Sequence, residues 1–496
     1  MKRGITRLHR ILIELNEHNF EYDVYSLVRA FYPRSEVQVQ LAEEAPAGES
    51  DLLLKITYES ERILLEIWEE GLQESVSFAD ADYRGDRRET KNRLKRLIYN
   101  ALAKKTGRQL PWGDLTGIRP TKIPMGLLEQ GWKNVDIARY LREEYQVSPQ
   151  KGALAIAITN REKALLDAFA YQKGYSLYVG IPFCPSICLY CSFGSYPLER
   201  WKHLVEDYLG ALLKELTFIG EQMKGRPLHT IYIGGGTPTT LEPQQLRRLL
   251  SHIGQTFDFS DLREYTVEAG RPDSITREKL LAIREFPVTR ISINPQTMNQ
   301  KTLDLIGRKH TVQDIRDCFA LARELHFDNI NMDLIVGLPG EGKEQVEETL
   351  EQVRALRPDS LTVHSLALKR ATRLNLFKDE YQEISFTNSG EIMDMTQETA
   401  RELSLWPYYL YRQKNMAGNF ENVGYAAEGK EGLYNILIME EKQTIMAAGA
   451  GASTKFVFQQ GERIERVENV KDVPQYIARI DEMLERKRAG IEKYLF

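Results

Sequence analysis

The sequence has little of several features that mark common protein classes. Among 496 residues it carries four cysteines, and no apolar run approaches the length that spans a bilayer. The formal net charge of −5 argues against a general nucleic-acid binder, which normally carries a basic excess. The N-terminal residues lack an apolar core of signal-peptide length. We therefore predict a cytoplasmic protein with no membrane span and no nucleic-acid partner, in which the cysteines stay reduced.

Composition and length are those of a soluble globular protein with more than one core. Hydrophobic residues make up 42% and charged residues 28% of the chain. A chain of 496 residues is too long for one small core. The patterns described below predict an N-terminal α+β region over 1–170, a barrel over 171–385 and a C-terminal α+β capping domain over 386–496.

Three of the four cysteines lie close together. Cys184, Cys188 and Cys191 have the spacing C-x3-C-x2-C and follow a short apolar stretch, 176–181, that is typical of a buried strand. Three soft thiolates suit an iron–sulfur cluster, which prefers sulfur ligands. A four-iron cluster on three thiolates leaves one iron without a protein ligand, and chemistry would occur at that iron.

Three other interpretations of these cysteines were weighed. A structural zinc ion takes four ligands, and no second cysteine or histidine pair follows at finger spacing. Disulfides would leave one of the three unpaired, and ordinary buried cysteines are seldom so crowded. The fourth, Cys318, lies in a helical pattern and is predicted to pack in the core.

The cysteine motif also carries a family resemblance. Preceded by Tyr178-Val-Gly-Ile-Pro-Phe183, it resembles the radical S-adenosylmethionine (SAM) enzymes, specifically the oxygen-independent coproporphyrinogen III oxidase group. The resemblance implies a [4Fe–4S] cluster whose open iron is chelated by the amino and carboxylate groups of SAM. It further implies reduction by an electron donor such as a flavodoxin or ferredoxin, and cleavage of the sulfonium to a 5′-deoxyadenosyl radical.

The first third of the chain has the pattern of a small α+β unit. The runs 51–58 and 62–68 flank a short polar turn and predict a hairpin. Residues 90–105 predict a helix that ends before Gly107, and 111–122 is rich in breakers and predicts a loop. We assign no catalytic residue to this region.

From residue 175 the pattern alternates strand and helix, which predicts a parallel α/β sheet curved into a partial (β/α)6 barrel. The predicted strands are 176–181, 229–234, 264–269, 289–295, 329–336 and 360–366. The predicted helices include 204–223, 244–253, 311–325 and 343–356. In such barrels the active site lies at the carboxyl ends of the strands.

Polar residues follow these strand ends. The glycine run 234–236 lets a ligand approach backbone N–H groups, with a simple tight turn as the alternative. Glu268 can accept hydrogen bonds from ribose hydroxyls or cap the next helix, and Gln296 can both donate and accept. Asp333 lies inside an apolar strand, where an unpaired carboxylate is costly. Arg308 is its candidate partner, and a purely structural pair is the alternative.

The family's site residues carry over to this sequence position by position. The cluster would be held by Cys184, Cys188 and Cys191. The SAM molecule on the cluster would contact Tyr178, Gly235 and Glu268. A second SAM molecule would contact Tyr190, Gly236, Thr237, Gln296, Arg308, Asp333 and Ala367.

The chain also departs from the well-studied oxidases. They carry a histidine where Gly180 stands and a further cysteine where Phe193 stands, and their N-terminal arm is unlike the long α+β region here. The sequence is most similar to the coproporphyrinogen dehydrogenase-like branch of the group.

The last quarter predicts a helix, three strand-like runs and a terminal helix, over 392–403, 407–414, 433–439, 444–454 and 473–488. In the first run, three tyrosines stand beside two cations: Tyr408, Tyr409, Tyr411, Arg412 and Lys414. Flat aromatic area next to cations would suit a tetrapyrrole substrate that bears carboxylates. Strand tyrosines packed on a helix are the alternative.

The resemblance therefore implies an enzyme that converts two propionates of coproporphyrinogen III into vinyl groups by oxidative decarboxylation, giving protoporphyrinogen IX without oxygen. A haem chaperone, which keeps the cluster motif but transfers haem, is one alternative. A radical SAM enzyme acting on another substrate, such as a methyltransferase or a haem-degrading relative, is the other.

Overall fold

The computed structural model describes residues 10–33, 35–43, 50–82, 85–192, 194–367, 388–413, 420–458 and 463–495. Phe193 and Lys414, which the sequence analysis singled out, lie outside the described residues. The chain divides into two compact units. One comprises the described residues of Met1–Ile156 and Arg412–Phe420, and the other comprises those of Ala157–Tyr411 and Glu421–Phe496.

The N-terminal unit contains a five-stranded sheet with two helices. Its strands are β1 (Arg10–Leu15), β2 (Glu36–Leu41), β3 (Leu52–Tyr58), β4 (Arg62–Glu69) and β5 (Leu72–Asp80), in the order β2-β1-β3-β4-β5. The predicted hairpin is β3–β4, which pairs antiparallel. Helices α1 (Glu21–Phe31) and α2 (Arg87–Thr106) bury apolar side chains with the strand residues in one core.

Helix α2 has the ends that its sequence predicts. The Asp86 carboxylate accepts hydrogen bonds from the N–H groups of Arg88 and Glu89, and so caps the first turn. Gly107 ends the helix with φ 64°, a left-handed conformation that glycine adopts readily. Three more helices follow: α3 (Lys122–Glu129), α4 (Asn134–Tyr145) and α5 (Pro149–Asp167), the last of which crosses the boundary between the units.

The second unit is the predicted α/β barrel. All six predicted strands are present, with ends within two residues of the prediction: β6 (Tyr175–Ile181), β9 (Leu228–Gly235), β10 (Glu264–Gly270), β11 (Arg290–Ile293), β12 (Ile330–Val336) and β13 (Ser360–Ser365). They pair in chain order, and every pair among them is parallel. The carboxyl ends of all six strands therefore lie at the same edge of the sheet.

Helices and a short β-pairing connect these strands. The helices are α6 (Leu198–Trp201), α7 (Val205–Gln222), α8 (Pro243–Thr256), α9 (Arg277–Arg284), α10 (Gln300–Leu305), α11 (Val312–Glu324) and α12 (Lys343–Leu356). The four barrel helices that the sequence analysis placed are all present, with ends within three residues. In the cysteine segment, β7 (Phe183–Cys184) pairs with β8 (Tyr196–Pro197).

The C-terminal residues extend the barrel sheet at both edges. They form α13 (Gly390–Glu402), β14 (Trp406–Tyr411), β15 (Asn422–Ala426), α14 (Leu433–Met439), β16 (Thr444–Ala448), β17 (Ser453–Phe458), β18 (Arg463–Glu468), α15 (Val473–Ala478) and α16 (Ile480–Tyr494). The sheet order is β14-β15-β13-β12-β11-β10-β9-β6-β16-β17-β18. The three-domain division stays a prediction, and its third segment supplies strands next to both β13 and β6.

Three details of the last quarter differ from the prediction. The run 444–454, predicted as one strand, is divided by a turn after Ala448 into β16 and β17. The run Leu433–Met439, predicted as a strand, is helical, because a short apolar run does not distinguish a buried strand from a buried helix. The predicted terminal helix is divided at Arg479 into α15 and α16. Among the described residues, no helix combines the length and apolar character needed to cross a bilayer.

Candidate active site

The inner face of the barrel sheet is polar, which is unusual for parallel strands buried by helices. Side chains two residues apart along a strand lie on the same face of the sheet. On β12, the Asn331 amide donates to Asp333 Oδ1 at 2.7 Å and accepts from Ser360 and Thr362 of β13, at 3.1 and 3.2 Å. Polar side chains of this face are therefore joined across neighbouring strands. We call the edge at which the six strands end the barrel mouth.

The three cysteines follow the first strand at this mouth. Cys184 and Cys188 are buried and Cys191 is partly exposed; all are free thiols. Burial raises the pKa of Cys184; hydrogen bonds from Thr237 and Ser195 lower it, and the nearby thiols of Cys191 and Cys188 raise it, so that it lies above its ordinary value. The three thiols are thus near enough to affect one another.

Polar groups surround the sulfurs. Thr237 Oγ1 donates to Cys184 Sγ at 3.6 Å, and Ser195 Oγ lies 3.6 Å from Cys191 Sγ. Arg271 Nη1 donates to Cys188 Sγ at 3.5 Å. Each cysteine sulfur therefore has a hydrogen-bonding group beside it, from another strand end for Cys184 and Cys188 and from the same loop for Cys191. Such groups suit an anionic cluster.

This donor set fits a cluster better than a single ion. Within the described part of the chain, no three side chains of the metal-binding types converge closely enough to hold one metal ion. A four-iron cluster instead takes each cysteine on a different iron, which spaces the sulfurs more widely. Three soft thiolates beside hydrogen-bond donors fit an iron–sulfur cluster.

The glycine run that ends β9 packs closely against the cysteine segment. Gly236 N–H donates to Ile181 O at 2.7 Å, and a Cβ atom at Gly236 would lie 2.6 Å from the Phe183 carbonyl oxygen. Gly235 has φ 105°, and a Cβ atom there would lie 3.1 Å from the Tyr178 hydroxyl. A side chain at either position would press on these atoms, so glycine allows the end of β9 to approach the cysteine segment closely.

Glu268 faces the same opening from β10. Its carboxylate accepts a hydrogen bond from the Tyr232 hydroxyl, and a Cβ atom at Gly234 would lie 3.0 Å from Glu268 Oε2. Burial raises the pKa of Glu268 to about 7, although the hydrogen bond from Tyr232 lowers it. Near neutral pH this carboxyl group therefore exists in both forms, and in the ionised form it accepts hydrogen bonds from a ligand's hydroxyl groups.

Three tyrosine rings stack beside Glu268. The rings of Tyr178 and Tyr232 have centroids 6.4 Å apart and planes 15° apart, and Tyr232 stacks on Tyr434 at 4.5 Å. Tyr434 comes from α14, and its N–H donates to Glu264 Oε2 at 3.2 Å. The helix α14, which was predicted as a strand, thus supplies one of the three stacked rings.

A second group of predicted residues lies near the cysteine loop and the end of β11. Buried Arg308 donates to the Tyr190 hydroxyl at 3.2 Å and to the Asn294 carbonyl oxygen. Gln296 exchanges backbone hydrogen bonds with β12: its N–H donates to Asp333 O and its carbonyl accepts from Ile335, both at 2.9 Å. The structure therefore joins Tyr190 to Arg308 by side chains and Gln296 to Asp333 by backbone.

The expected pairing of Arg308 with Asp333 is wrong. Asp333 accepts from Asn331, and its Oδ2 lies 3.9 Å from His364 Nε2. Burial raises the pKa of Asp333, but the hydrogen bond and charge of His364, together with Asn331, lower it by more. The arginine reaches Tyr190 instead because it follows α10 on the side of the cysteine loop, whereas Asp333 lies within the sheet.

Unpartnered polar atoms line the mouth after β11. Within the described part of the chain, Ser292 Oγ, Asn294 Oδ1 and Gln296 Oε1 are buried without a hydrogen-bond partner. Gln296 also has φ 68°, a conformation that is uncommon outside glycine. Buried polar groups are normally paired, so these three atoms leave hydrogen-bond capacity unused at the end of β11.

The remaining predicted residues lie at the same edge. Thr237 N–H donates to Phe183 O at 2.8 Å, which holds its side chain beside Cys184. Ala367 follows β13 by two residues, and the N–H of the intervening Leu366 donates to Val336 O at 3.0 Å. Most of the predicted cofactor residues thus end or follow barrel strands, whereas Tyr178 and Asp333 lie within β6 and β12, and the ligands of all of them stay a prediction.

Two of the three tyrosines proposed as a tetrapyrrole surface, Tyr408 and Tyr409, take the alternative role, whereas Tyr411 is only partly buried. Tyr408 is fully buried and Tyr409 is 4% exposed, and both pack in a cluster with Ile436 and Leu437 of α14. Gly424 leaves room for Tyr409, because a Cβ atom at position 424 would overlap the tyrosine ring. Their rings are thus core residues of the barrel unit, unavailable as a flat binding surface.

Sequence reasoning missed three residues of this site: Tyr232, Arg271 and Tyr434. Two of them had a readable signal. Tyr232 lies two residues before the glycine run and Arg271 lies just past the end of β10, so the rule that sites gather at strand ends covers both. Tyr434 had none, because its contact with β9 depends on the fold of a segment far along the chain.

Comparison with known proteins shows which family model and which relatives this chain matches. Residues 178–353 match the family model of the radical SAM superfamily. The oxygen-independent coproporphyrinogen-III oxidase-like protein HemZ of Bacillus subtilis (strain 168) is 39% identical over 410 residues, which are 82% of this chain and 82% of that protein. The heme chaperone HemW of the same strain is 34% identical over 281 residues, covering 56% of this chain and 70% of the chaperone.

Among solved structures, that of coproporphyrinogen III oxidase (HemN) from Escherichia coli, a radical SAM enzyme, aligns with a TM-score of 0.50 and 24% identity. It covers 65% of this chain and 73% of that one, and it supports a shared fold. Radical SAM proteins use a [4Fe–4S] cluster and SAM. The cysteine motif, the barrel and the extent of the HemZ match together show that the chain belongs to the radical SAM family of oxygen-independent coproporphyrinogen III oxidase-like proteins.

Proposed function

We propose that this protein is a radical SAM oxidoreductase of porphyrin biosynthesis. It would convert two propionates of coproporphyrinogen III into vinyl groups by oxidative decarboxylation, yielding protoporphyrinogen IX without oxygen. One observation carries the proposal: three thiols, an open glycine run and the Glu268 carboxylate gather at the carboxyl edge of a single parallel sheet. The similarity to a coproporphyrinogen-III oxidase-like protein over 82% of the chain supports the choice of substrate.

The proposed cofactor site has two parts. Cys184, Cys188 and Cys191 would hold the cluster, and Tyr178, Gly235 and Glu268 would contact the SAM molecule on its open iron. A second SAM molecule would lie across the mouth, near Tyr190, Gly236, Thr237, Gln296, Arg308, Asp333 and Ala367. The unpartnered atoms after β11 support this second place, because they provide hydrogen-bond capacity that the described residues leave unused.

When bound and reduced, the cluster and SAM would supply a 5′-deoxyadenosyl radical, which can abstract a hydrogen atom from the propionate carbon β to the carboxylate. Loss of carbon dioxide and transfer of one electron to a one-electron acceptor would then leave the vinyl group. The chain's own residues would bind and orient SAM and the substrate. Ionised Glu268 would accept hydrogen bonds from the ribose hydroxyls, with Tyr232 holding its carboxylate in place. The Tyr178, Tyr232 and Tyr434 rings would exclude water from the reacting groups.

The proposed partners and compartment follow from this chemistry. A reductant such as a flavodoxin or ferredoxin would deliver the electron that each turnover consumes. The substrate is a tetrapyrrole with carboxylate side chains. Reduced cysteines and an oxygen-sensitive cluster favour the cytoplasm as the working compartment.

The direct test is product analysis under strict anaerobiosis. Reconstituted protein is incubated with coproporphyrinogen III, SAM and a reductant, and the mixture is analysed by mass spectrometry for 5′-deoxyadenosine and for vinyl products. We expect both in the wild type and neither in Cys188→Ala. A protein that carries the cluster and cleaves SAM but leaves coproporphyrinogen III unchanged would overturn the proposed substrate.

A haem chaperone is the second candidate, favoured by the heme chaperone HemW at 34% identity over 70% of its length. A chaperone would bind haem stoichiometrically and form no vinyl product. Haem titration followed by absorbance, on the same preparation used for product analysis, separates the two functions.

A further inference from the structure

The loop after β10 places one arginine directly against the cysteine segment. Arg271 is 4% exposed, and its Nη1 donates to Ser186 O at 3.0 Å, to Ser186 Oγ at 2.9 Å and to Cys188 Sγ at 3.5 Å. A single guanidinium nitrogen therefore contacts both the backbone of the cysteine loop and one of its sulfurs. The family comparison assigned no role to this residue.

The rest of the guanidinium is held on its other side. Asp273 accepts from Arg271 Nε at 2.9 Å and from Nη2 at 2.6 Å, a two-pronged pair that fixes the plane of the arginine. His310 Nδ1 lies 3.7 Å from Asp273 Oδ1. Burial raises the pKa of Asp273, but the contacts with His310 and Arg271 lower it well below its usual range, so the carboxylate stays ionised.

A fixed, buried cation at a cysteine sulfur has a definite effect on a cluster that the sulfur binds. Reduction adds negative charge to the cluster, and part of that charge resides on the cysteine sulfurs. A hydrogen bond from a cation to such a sulfur stabilises the reduced form more than the oxidised form, and so raises the reduction potential. Burial strengthens the effect because little water screens the charge.

We propose that Arg271 is a positioning residue that fixes the Cys188 segment and raises the reduction potential of the cluster. The inference rests on the proposed ligation of the cluster by the three cysteines. It gives this chain a way to ease delivery of the electron that cleaves SAM, using a residue outside the cysteine motif. Asp273 would act through Arg271 by holding its orientation.

The test compares Arg271→Met and Arg271→Lys with wild-type protein. Each is reconstituted anaerobically with iron and sulfide, and the midpoint potential is measured by redox titration monitored by electron paramagnetic resonance. We expect Arg271→Met to favour the oxidised form tenfold, a fall of about 59 mV for one electron. Lysine keeps the positive charge but loses the planar set of guanidinium donors, so the midpoint potential of Arg271→Lys should fall by less.

Arg277→Met is the matched control. Arg277 lies six positions further on, its ion pair with Glu324 is at the surface at 2.7 Å, and it should leave the potential unchanged. If Arg271→Met fails to hold a cluster, Asp273→Asn and Arg271→Lys provide the comparison, and a lowered potential in both supports the role.

The outcomes separate the two proposals. A wild-type protein without a four-iron signal would refute the proposed function and this inference together. A wild-type protein with a cluster, and arginine variants whose potentials equal that of the wild type, would overturn the role of Arg271 alone.

Discussion

Each unit of the molecule holds a carboxyl group whose pKa burial raises to about 7: Asp114 in the N-terminal unit and Glu268 in the barrel. Asp114 is 1% exposed, and neither carboxylate oxygen has a hydrogen-bond partner among the described residues. Glu268 accepts from Tyr232 and faces the open mouth. The same perturbation therefore accompanies a closed interior in one unit and the proposed binding site in the other, and a shifted pKa alone identifies no site.

The sheets of the two units also differ in the polarity of their inner side chains. In the N-terminal unit the buried strand residues are apolar and pack on α1 and α2. In the barrel the inner positions carry tyrosines, carboxyls and amides that bond across strands. Functional surface in this chain is thus recognised by polar side chains on an inner sheet face, and four predictions test that contrast.

The largest effect should follow removal of a cysteine on the barrel side. Cys188→Ala deletes a proposed cluster ligand and should leave no four-iron absorption and no SAM cleavage after anaerobic reconstitution. Cys318→Ala is the control, because Cys318 is a buried thiol on α11. Equal iron and sulfide content in both variants would contradict the proposed ligation.

Glu268→Gln should weaken SAM binding by about tenfold to a hundredfold at pH 8, since hydrogen bonds to a charged group contribute about 1.5–3 kcal/mol. Equilibrium dialysis with labelled SAM on reconstituted protein measures this. Glu398→Gln, which alters an exposed pair with Arg401, is the matched control. An unchanged dissociation constant for Glu268→Gln would place the ribose elsewhere.

Asp114 should affect stability and leave SAM binding unaltered. Its pKa is higher in the folded chain than in the unfolded chain, so its contribution to stability is present at low pH and is lost as pH rises from about 4 to 7. The loss is of order 1.4 kcal/mol for each pH unit in that window.

Asp114→Asn removes this loss, so its free energy of unfolding relative to the wild type should increase between pH 5 and pH 8. Urea unfolding at both pH values measures it, with exposed Asp136→Asn as the control. A difference that stays constant with pH would show that the folded environment of Asp114 is unlike the one described.

Tyr232→Phe should give the smallest effect. It removes the hydrogen bond that the Tyr232 hydroxyl donates to the Glu268 carboxylate but keeps the carboxylate itself, so SAM affinity at pH 8 should fall by only about two- to tenfold. Because that hydrogen bond lowers the pKa of Glu268, the pH at which affinity declines on acidification should move upward from about 7. Dialysis across pH 6–9 detects the shift, and an unchanged pH profile would rule out a role for Tyr232 in positioning Glu268.

Much of this architecture was predictable from local patterns, and the exceptions have physical reasons. The six barrel strands were found within two residues because apolar runs and breakers mark their ends. The helical character of Leu433–Met439 was missed because seven apolar-rich residues fit either structure, and its interaction with Glu264 comes from a distant strand. The prediction of an Arg308–Asp333 pair was wrong because the sequence indicates the edge of the sheet at which a residue lies and leaves the direction of its side chain undetermined.

The parallel pairing of β16 with β6 has a consequence for synthesis on the ribosome. Ser176 and Gln443, at the start of this pairing, are hydrogen-bonded although they are 267 positions apart. At translation rates of about 5–20 residues per second, the strand that leads into the cysteines keeps an open edge for on the order of ten seconds or more. Nascent chains should therefore need protection from aggregation at that edge, and iron loading into a finished barrel must await release of the C-terminal strands.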